Sequence, residues 1–93
     1  MAEFITEIVG RESYQYYPLG EHIVRAVGVC GERPTFKYTR IEITRPFECL
    51  AAGESIDDIV KGFEGRVSRE AIVEALNLVT TQFSESLPEL ELA

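Results

Sequence analysis

Tryptophan is absent from this 93-residue chain, which has one histidine, one methionine and two cysteines. A tetrahedral zinc site needs four ligands, and His22, Cys30 and Cys49 supply three at unpatterned spacing, so no metal is expected. Cys30 and Cys49 show no C-x-x-C spacing and read as two reduced, partly buried thiols. Also missing are a G-x-S-x-G elbow and a phosphate-binding P-loop. Asp57 and Asp58 are neighbours at a helix start and do not face a common pocket. No catalytic residue, cofactor or small-molecule substrate is therefore expected. No apolar stretch approaches the ~20 residues that cross a bilayer. The segment Met1–Gly10 carries Glu3 and Glu7 without a basic flank and does not read as a signal peptide, so a cytoplasmic location with no membrane contact is expected. Cations are scarce too. Nine Lys+Arg against sixteen Asp+Glu give a net charge of -7, the wrong balance for a lone module that lives on phosphate electrostatics.

What is present suits one small globular domain: 45% hydrophobic and 27% charged residues. Phe4, Ile5, Ile8 and Val9 fit either helical turns or a short strand. Ser13–Gly20 is aromatic and turn-rich, with Tyr14, Tyr16, Tyr17, Pro18 and Gly20. His22–Val27 reads as a strand between Gly20 and Gly28. Val29–Pro34 has the composition of a turn, with Gly31 free to take positive φ. A second strand is expected at about Phe36–Ile43, with Thr39, Ile41 and Ile43 on one face and Tyr38, Arg40 and Glu42 on the other.

Three helices follow. Thr44 is the expected cap of the first, with Pro46 in its opening turn, Phe47, Leu50 and Ala51 on one face, and Gly53 as the stop. Ser55 caps the second ahead of Asp57 and Asp58, and Ile56, Ile59, Val60 and Phe63 mark its buried side. Ser68 caps the third, where Ile72, Ala75, Leu76, Val79 and Phe83 form the expected buried stripe. The expected fold class is mainly α with a small N-terminal β part: a β-hairpin, then a three-helix helix-turn-helix unit. The expected divisions are an extension and hairpin arm over 1–43, the helical domain over 44–84, and an acidic tail over 85–93.

The run Cys30-Gly31-Glu32-Arg33-Pro34-Thr35-Phe36-Lys37-Tyr38-Thr39-Arg40-Ile41-Glu42-Ile43, followed by Leu50-Ala51-Ala52-Gly53-Glu54-Ser55-Ile56-Asp57-Asp58-Ile59-Val60, is distinctive. Over about Val29–Thr80 the chain resembles the domain-of-unknown-function 433 (DUF433) family of small bacterial and archaeal proteins. The family pattern places glycine where this chain has Glu32 and Tyr38. The resemblance implies a homeodomain-like helix-turn-helix behind the hairpin. For many members it also implies the antitoxin role in a type II toxin–antitoxin pair, opposite a PIN-like ribonuclease toxin.

Against that expectation, Arg33, Lys37, Arg40 and Arg45 make the only basic block, opposed there by Glu42 alone. With Arg66 and Arg69 at the start of the third helix, they are the candidate DNA contacts. The helix surface opposite its core carries Glu70, Glu74, Asn77 and Thr81, so DNA binding by the monomer is expected to be weak. Leu87, Leu90 and Leu92 in the acidic tail, or the margin near Val73 and Thr80, are candidate toxin contacts. Tyr14, Tyr16, Tyr17, Phe36 and Tyr38 are candidate contacts of a homodimer paired through the hairpin. The alternative function is a homodimeric interaction module that binds no DNA.

Overall fold

Polar and aromatic residues alternate from Ser13 to Tyr16, and in the computed structural model, which describes residues 4–86, this segment lies within a strand. The elements run β1 (Ile5–Val9), β2 (Glu12–Pro18), β3 (Ile23–Ala26), β4 (Thr35–Phe36), α1 (Thr44–Ala51), α2 (Ile56–Gly62) and α3 (Arg69–Ser86). The strands pair in chain order as one antiparallel sheet, with Ile5 opposite Tyr16, Tyr16 opposite Ala26 and Ile23 opposite Phe36. This corrects the expectation of a mainly α chain with a lone hairpin: a four-stranded sheet precedes the helices. Pro18 and Gly20, which gave the aromatic segment its turn-like composition, sit at the strand's end and beyond it. The ambiguous first segment is a strand because Gly10, at φ 65°, closes a two-residue hairpin turn onto β2.

The expected strand over Phe36–Ile43 is also corrected. β4 ends at Phe36 and the chain folds back, the amide of Phe36 donating to Ile41 O at 3.0 Å. Two local causes break the extended run. Tyr38 takes a left-handed φ of 67°. Thr39 Oγ1 donates to Phe36 O at 2.8 Å and accepts from the Ile41 amide at 3.0 Å, satisfying groups a ladder would have used. Only Glu42 returns to the sheet, as a single bridge to Thr35.

The loop before β4 is a left-handed turn: Cys30, Gly31 and Glu32 have φ of 48°, 62° and 63°. Glu32 and Tyr38, the two places where the resemblance implies glycine, therefore both take glycine-like backbone. Each costs on the order of 1–2 kcal/mol for a residue with a Cβ. The strained turn is held from outside: Arg25 Nε donates to Glu32 O at 3.0 Å, and Cys30 Sγ to Arg40 O at 3.2 Å.

Helix punctuation follows the expectation at two of three starts. Ser55 Oγ accepts from the Asp58 amide, and Ser68 Oγ from the Ala71 amide, each at 3.1 Å. Thr44 is not a cap. It is already helical, and the preceding Ile43 offers no side-chain cap. Ala52 and Gly53, at φ 95°, close α1.

The main core joins Ile23 and Phe36 of the sheet to Ile43, Ile59, Val67, Ala71, Ile72 and Ala75. Ile56 and Val60 of α2, with Phe63 just after it, pack around it half-buried, as their spacing predicts. On the other sheet face Tyr16, Val24 and Ala26 form a second cluster with Tyr14 and Val29. The α3 stripe is only partly buried. Ile72 and Ala75 lie inside and Leu76 at the margin, whereas Val79 is 42% and Phe83 63% exposed. The helix outruns the layer it packs on.

That split predicts unequal responses to truncation. Ile72→Ala is expected to lower stability by about 2–5 kcal/mol, the range for aliphatic truncation in a core. Val79→Ala is expected to stay within about 0.5 kcal/mol. Urea unfolding of both variants checks this, and equal losses would mean that the whole stripe is buried.

Candidate functional site

The first turns of α3 present Arg69, Glu70, Val73 and Glu74 to the connection between β2 and β3, where Glu21 and His22 lie. Together with Asn77, Leu78, Thr81 and Gln82 they line a groove of about 620 Å³. All four residues expected opposite the α3 core, Glu70, Glu74, Asn77 and Thr81, meet in it. Glu74 departs from the expectation of a solvated charge. Its Oε2 accepts the Glu21 amide at 2.9 Å and its Oε1 the His22 amide at 2.7 Å. Burial pushes the Glu74 carboxyl up, but the amides of His22 and Glu21, and the His22 ring, outweigh this and hold it below the usual range. His22 Nδ1 lies 3.5 Å from Glu74 Oε1, a contact that becomes an ion pair only when the imidazole is protonated.

Nothing in the sequence singles out Glu74 from the other carboxylates. The adjoining glycine is the one trace it leaves. A Cβ on Gly20 would stand 2.9 Å from Glu74 Cδ, so the carboxylate reaches the loop only over a residue without a side chain.

Glu21, His22 and Glu74 are also the one group of three metal-capable side chains among the described residues, with ligand atoms within 4.8 Å of one another. Both Glu74 oxygens are already engaged by backbone amides, so its first task is to hold the loop. The cysteines are free. Burial pushes the Cys49 thiol up, with Glu54 adding to the effect, which leaves it a poor nucleophile.

The six candidate DNA contacts do not form one basic face. Arg33 is paired with Glu42 at 2.6 Å and Arg69 with Asp57 at 2.6 Å. Lys37 Nζ lies 4.9 Å from the Tyr16 ring centroid and 5.0 Å from that of Tyr38. Arg66 Nε turns back to Phe63 O at 3.3 Å, and its residue meets Lys37 in a second groove of about 430 Å³ beside His22. Arg40 lines a third groove with Tyr14 and Tyr38. Arg40 and Arg45 are exposed and in no ion pair among the described residues.

The aromatic residues expected at a dimer contact have internal work. Phe36 and Tyr16 are buried in the two cores. The Tyr14 and Tyr38 rings meet at a tilt of 41° with centroids 5.3 Å apart, and the Tyr38 amide donates to Tyr14 Oη at 3.0 Å. Tyr17 is half-buried and takes the Phe4 ring edge-on at 5.7 Å. Glu7 gathers this cluster: it accepts from Tyr38 Oη at 2.6 Å and from Tyr16 Oη at 2.9 Å. Those hydrogen bonds hold the Glu7 carboxyl below the usual range, with help from Lys37 and against burial. The candidate toxin contacts Leu87, Leu90 and Leu92 fall outside the described residues. Val73 is exposed and lines the α3 groove, and Thr80 is exposed. No helix among the described residues is long and apolar enough to cross a membrane.

Two tests follow from the carboxylates. Gly20→Ala and Glu74→Ala should each cost about 1–3 kcal/mol by freeing the same two amides. The double variant should lose little more than either alone, because the losses are one loss. Full additivity would separate the two residues. Glu7 and Glu74 have lowered folded values, so the stability they confer is complete above the ordinary value of 4.5 and is lost as pH falls through the lowered ones. The melting temperature should fall below about pH 5, less steeply in Glu74→Ala than in the wild type.

Comparison with known proteins returns no match among curated proteins or solved structures. The family described as a protein of unknown function (DUF433) matches residues 23–78, from β3 into α3. That segment spans more than half of the chain and holds Glu32, Tyr38, Glu74 and the three helix starts. The chain belongs to the DUF433 family.

Proposed function

We propose that this protein is a non-catalytic, antitoxin-like regulator whose main contact is with a protein partner of basic surface. The resemblance points to a PIN-like ribonuclease as that partner. The supporting observation is the free end of α3. Ala75–Ser84 is uncharged in a chain of net charge -7, and it leaves Phe83 63% and Val79 42% exposed beside one another on the helix. An exposed apolar strip on an otherwise acidic molecule offers buried contact area, while the surrounding carboxylates steer a basic partner toward it. Leu87, Leu90 and Leu92, outside the described residues, are further candidate contacts for the same partner.

In this reading α1–α3 serve as a helix-turn-helix of small DNA affinity, and DNA contact adds to the partner contact. Three of the six candidate cations, Arg33, Lys37 and Arg69, are engaged by the protein's own side chains, which favours a secondary role for DNA. Arg40, Arg45 and Arg66 are the ones left to meet phosphate.

The test is binding to a PIN-like ribonuclease encoded beside this chain's gene, measured by calorimetry with wild type and Phe83→Glu. A central aromatic anchor is worth about 2 kcal/mol or more, so Phe83→Glu should weaken binding at least about thirtyfold. Unchanged affinity removes α3 as the contact, and no binding removes the antitoxin reading. For DNA, a mobility shift with the upstream sequence should be weak and salt-dependent. Arg45→Ala and Arg66→Ala should each reduce the salt slope by about one.

A further inference from the structure

Phe4, Ile5, Ile8 and Val9 are all exposed, Ile8 at 73% and Phe4 at 51%. They lie on or next to β1, which pairs with β2 on one side only. The opposite border of the sheet is β4, two residues long and met by the Thr35–Glu42 bridge. β1 is thus the open edge among the described residues. Edges are normally guarded by lysine, proline, a bulge or an obstructing charge. β1 has no lysine or proline, and its register with β2 runs unbroken over five pairs. Its one charge, Glu7, is drawn onto its own sheet by Tyr38 and Tyr16, with Lys37 beside them.

We infer that β1 pairs antiparallel with β1 of a second copy, joining two four-stranded sheets into one of eight strands. The inference is independent of the partner reading above. Charge selects a second copy as the occupant. Two chains of net charge -7 repel, and they meet most easily where the local charge is offset. Phe4–Gly10 carries Glu7 alone, and that carboxylate is already hydrogen-bonded to two tyrosines. A basic partner would find no free acid along this strand.

Symmetry then restricts the register. A two-fold axis normal to the sheet keeps each face, so residues opposite one another share parity. An axis through Glu7 would set two carboxylates face to face, which is unfavourable. An axis through Thr6 places Thr6 opposite itself, Ile5 opposite Glu7, and Phe4 opposite Ile8. The last pair occurs twice and is of the aromatic with β-branched kind that stabilises sheets. It covers the two most exposed apolar side chains of the strand. The expected dimer thus forms through the N-terminal hairpin, while Phe36 and Tyr16 stay in their own cores.

Light scattering after size exclusion, run on the full chain over a wide concentration range, should give twice the 10.5 kDa of one chain. Thr6→Lys puts two like charges on the axis and should raise the dimer dissociation constant at least about tenfold. Ile8→Lys alters a residue that the monomer leaves exposed and should do the same, with far-UV circular dichroism unchanged. In hydrogen exchange, β1 amides should gain protection as concentration rises. A monomer at every concentration overturns the inference. So does a dimer that survives Thr6→Lys and Ile8→Lys, including one that only Phe83→Glu dissociates.

Discussion

Burial of Ile23 and Phe36 against Ile59, Ala71, Ile72 and Ala75 is the contact on which the other elements depend. A two-residue strand and helices of seven and eight residues have no stability of their own. Each large side chain buried there contributes about 1.5–3 kcal/mol. The layer formed by β3, β4 and the three helices is what makes the short pieces persist. Once α3 is fixed on that layer, Glu74 is positioned under the loop at Glu21 and His22, and the ends of the molecule are free to extend past it.

The two left-handed positions show what the layer tolerates and what is gained there. At Glu32 the strain is met locally, by Arg25 on its carbonyl and by the Arg33–Glu42 pair beside it. At Tyr38 the side chain itself supplies the compensation. Its ring packs at a tilt against Tyr14, its hydroxyl reaches Glu7, and Lys37 lies over its face. β1 and β2 stand outside residues 23–78, the segment that defines the family. A glycine at position 38 would relax the backbone and leave Glu7 with Tyr16 alone. The left-handed backbone of Tyr38 and the β1–β2 hairpin are thus parts of one arrangement.

Several local roles were legible in the sequence. Ser55 and Ser68 cap helices through amides three residues on, Gly53 stops α1, and the spacing of Ile56, Ile59, Val60 and Phe63 marks one face. β3 is equally local, with β-branched residues between two glycines. Some misreadings involve distant partners, whereas those at Thr39 and Thr44 are local. Tyr14 and Tyr16 looked like turn material because the strand they pair with begins at Ile5, a segment of ambiguous periodicity. Alternation beyond Phe36 suggested a strand, but the backbone of Tyr38 and the hydroxyl of Thr39 turn the chain. Spacing alone also cannot say how far a core extends along α3, so Val79 and Phe83 carry a core pattern into solvent. For the candidate site, the cations were legible as charges, while their engagement by Glu42, Asp57 and two tyrosine rings was not.

The distribution of exposed apolar surface follows from the same geometry. Within the family segment the large exposed apolar residues are Val27, Tyr38 and Val73. Tyr38 is already occupied, and Val73 lines the groove over Glu74. Phe4, Ile5, Ile8, Val9, Val79 and Phe83 all lie outside it. A small domain can bury only what its layers cover, and here β1 and the last turns of α3 lie beyond that cover. The hairpin and the last turns of α3 therefore present apolar surface for a structural reason, being extensions beyond the helices and strands that would shield them. Surface of this kind is where both proposed protein contacts would form. The two extensions differ in what they offer, one an open backbone edge and the other a helical strip. The edge suits a partner that is itself a strand, and the strip suits a groove, so the proposed contact with a second copy and the proposed contact with a different partner use separate surfaces.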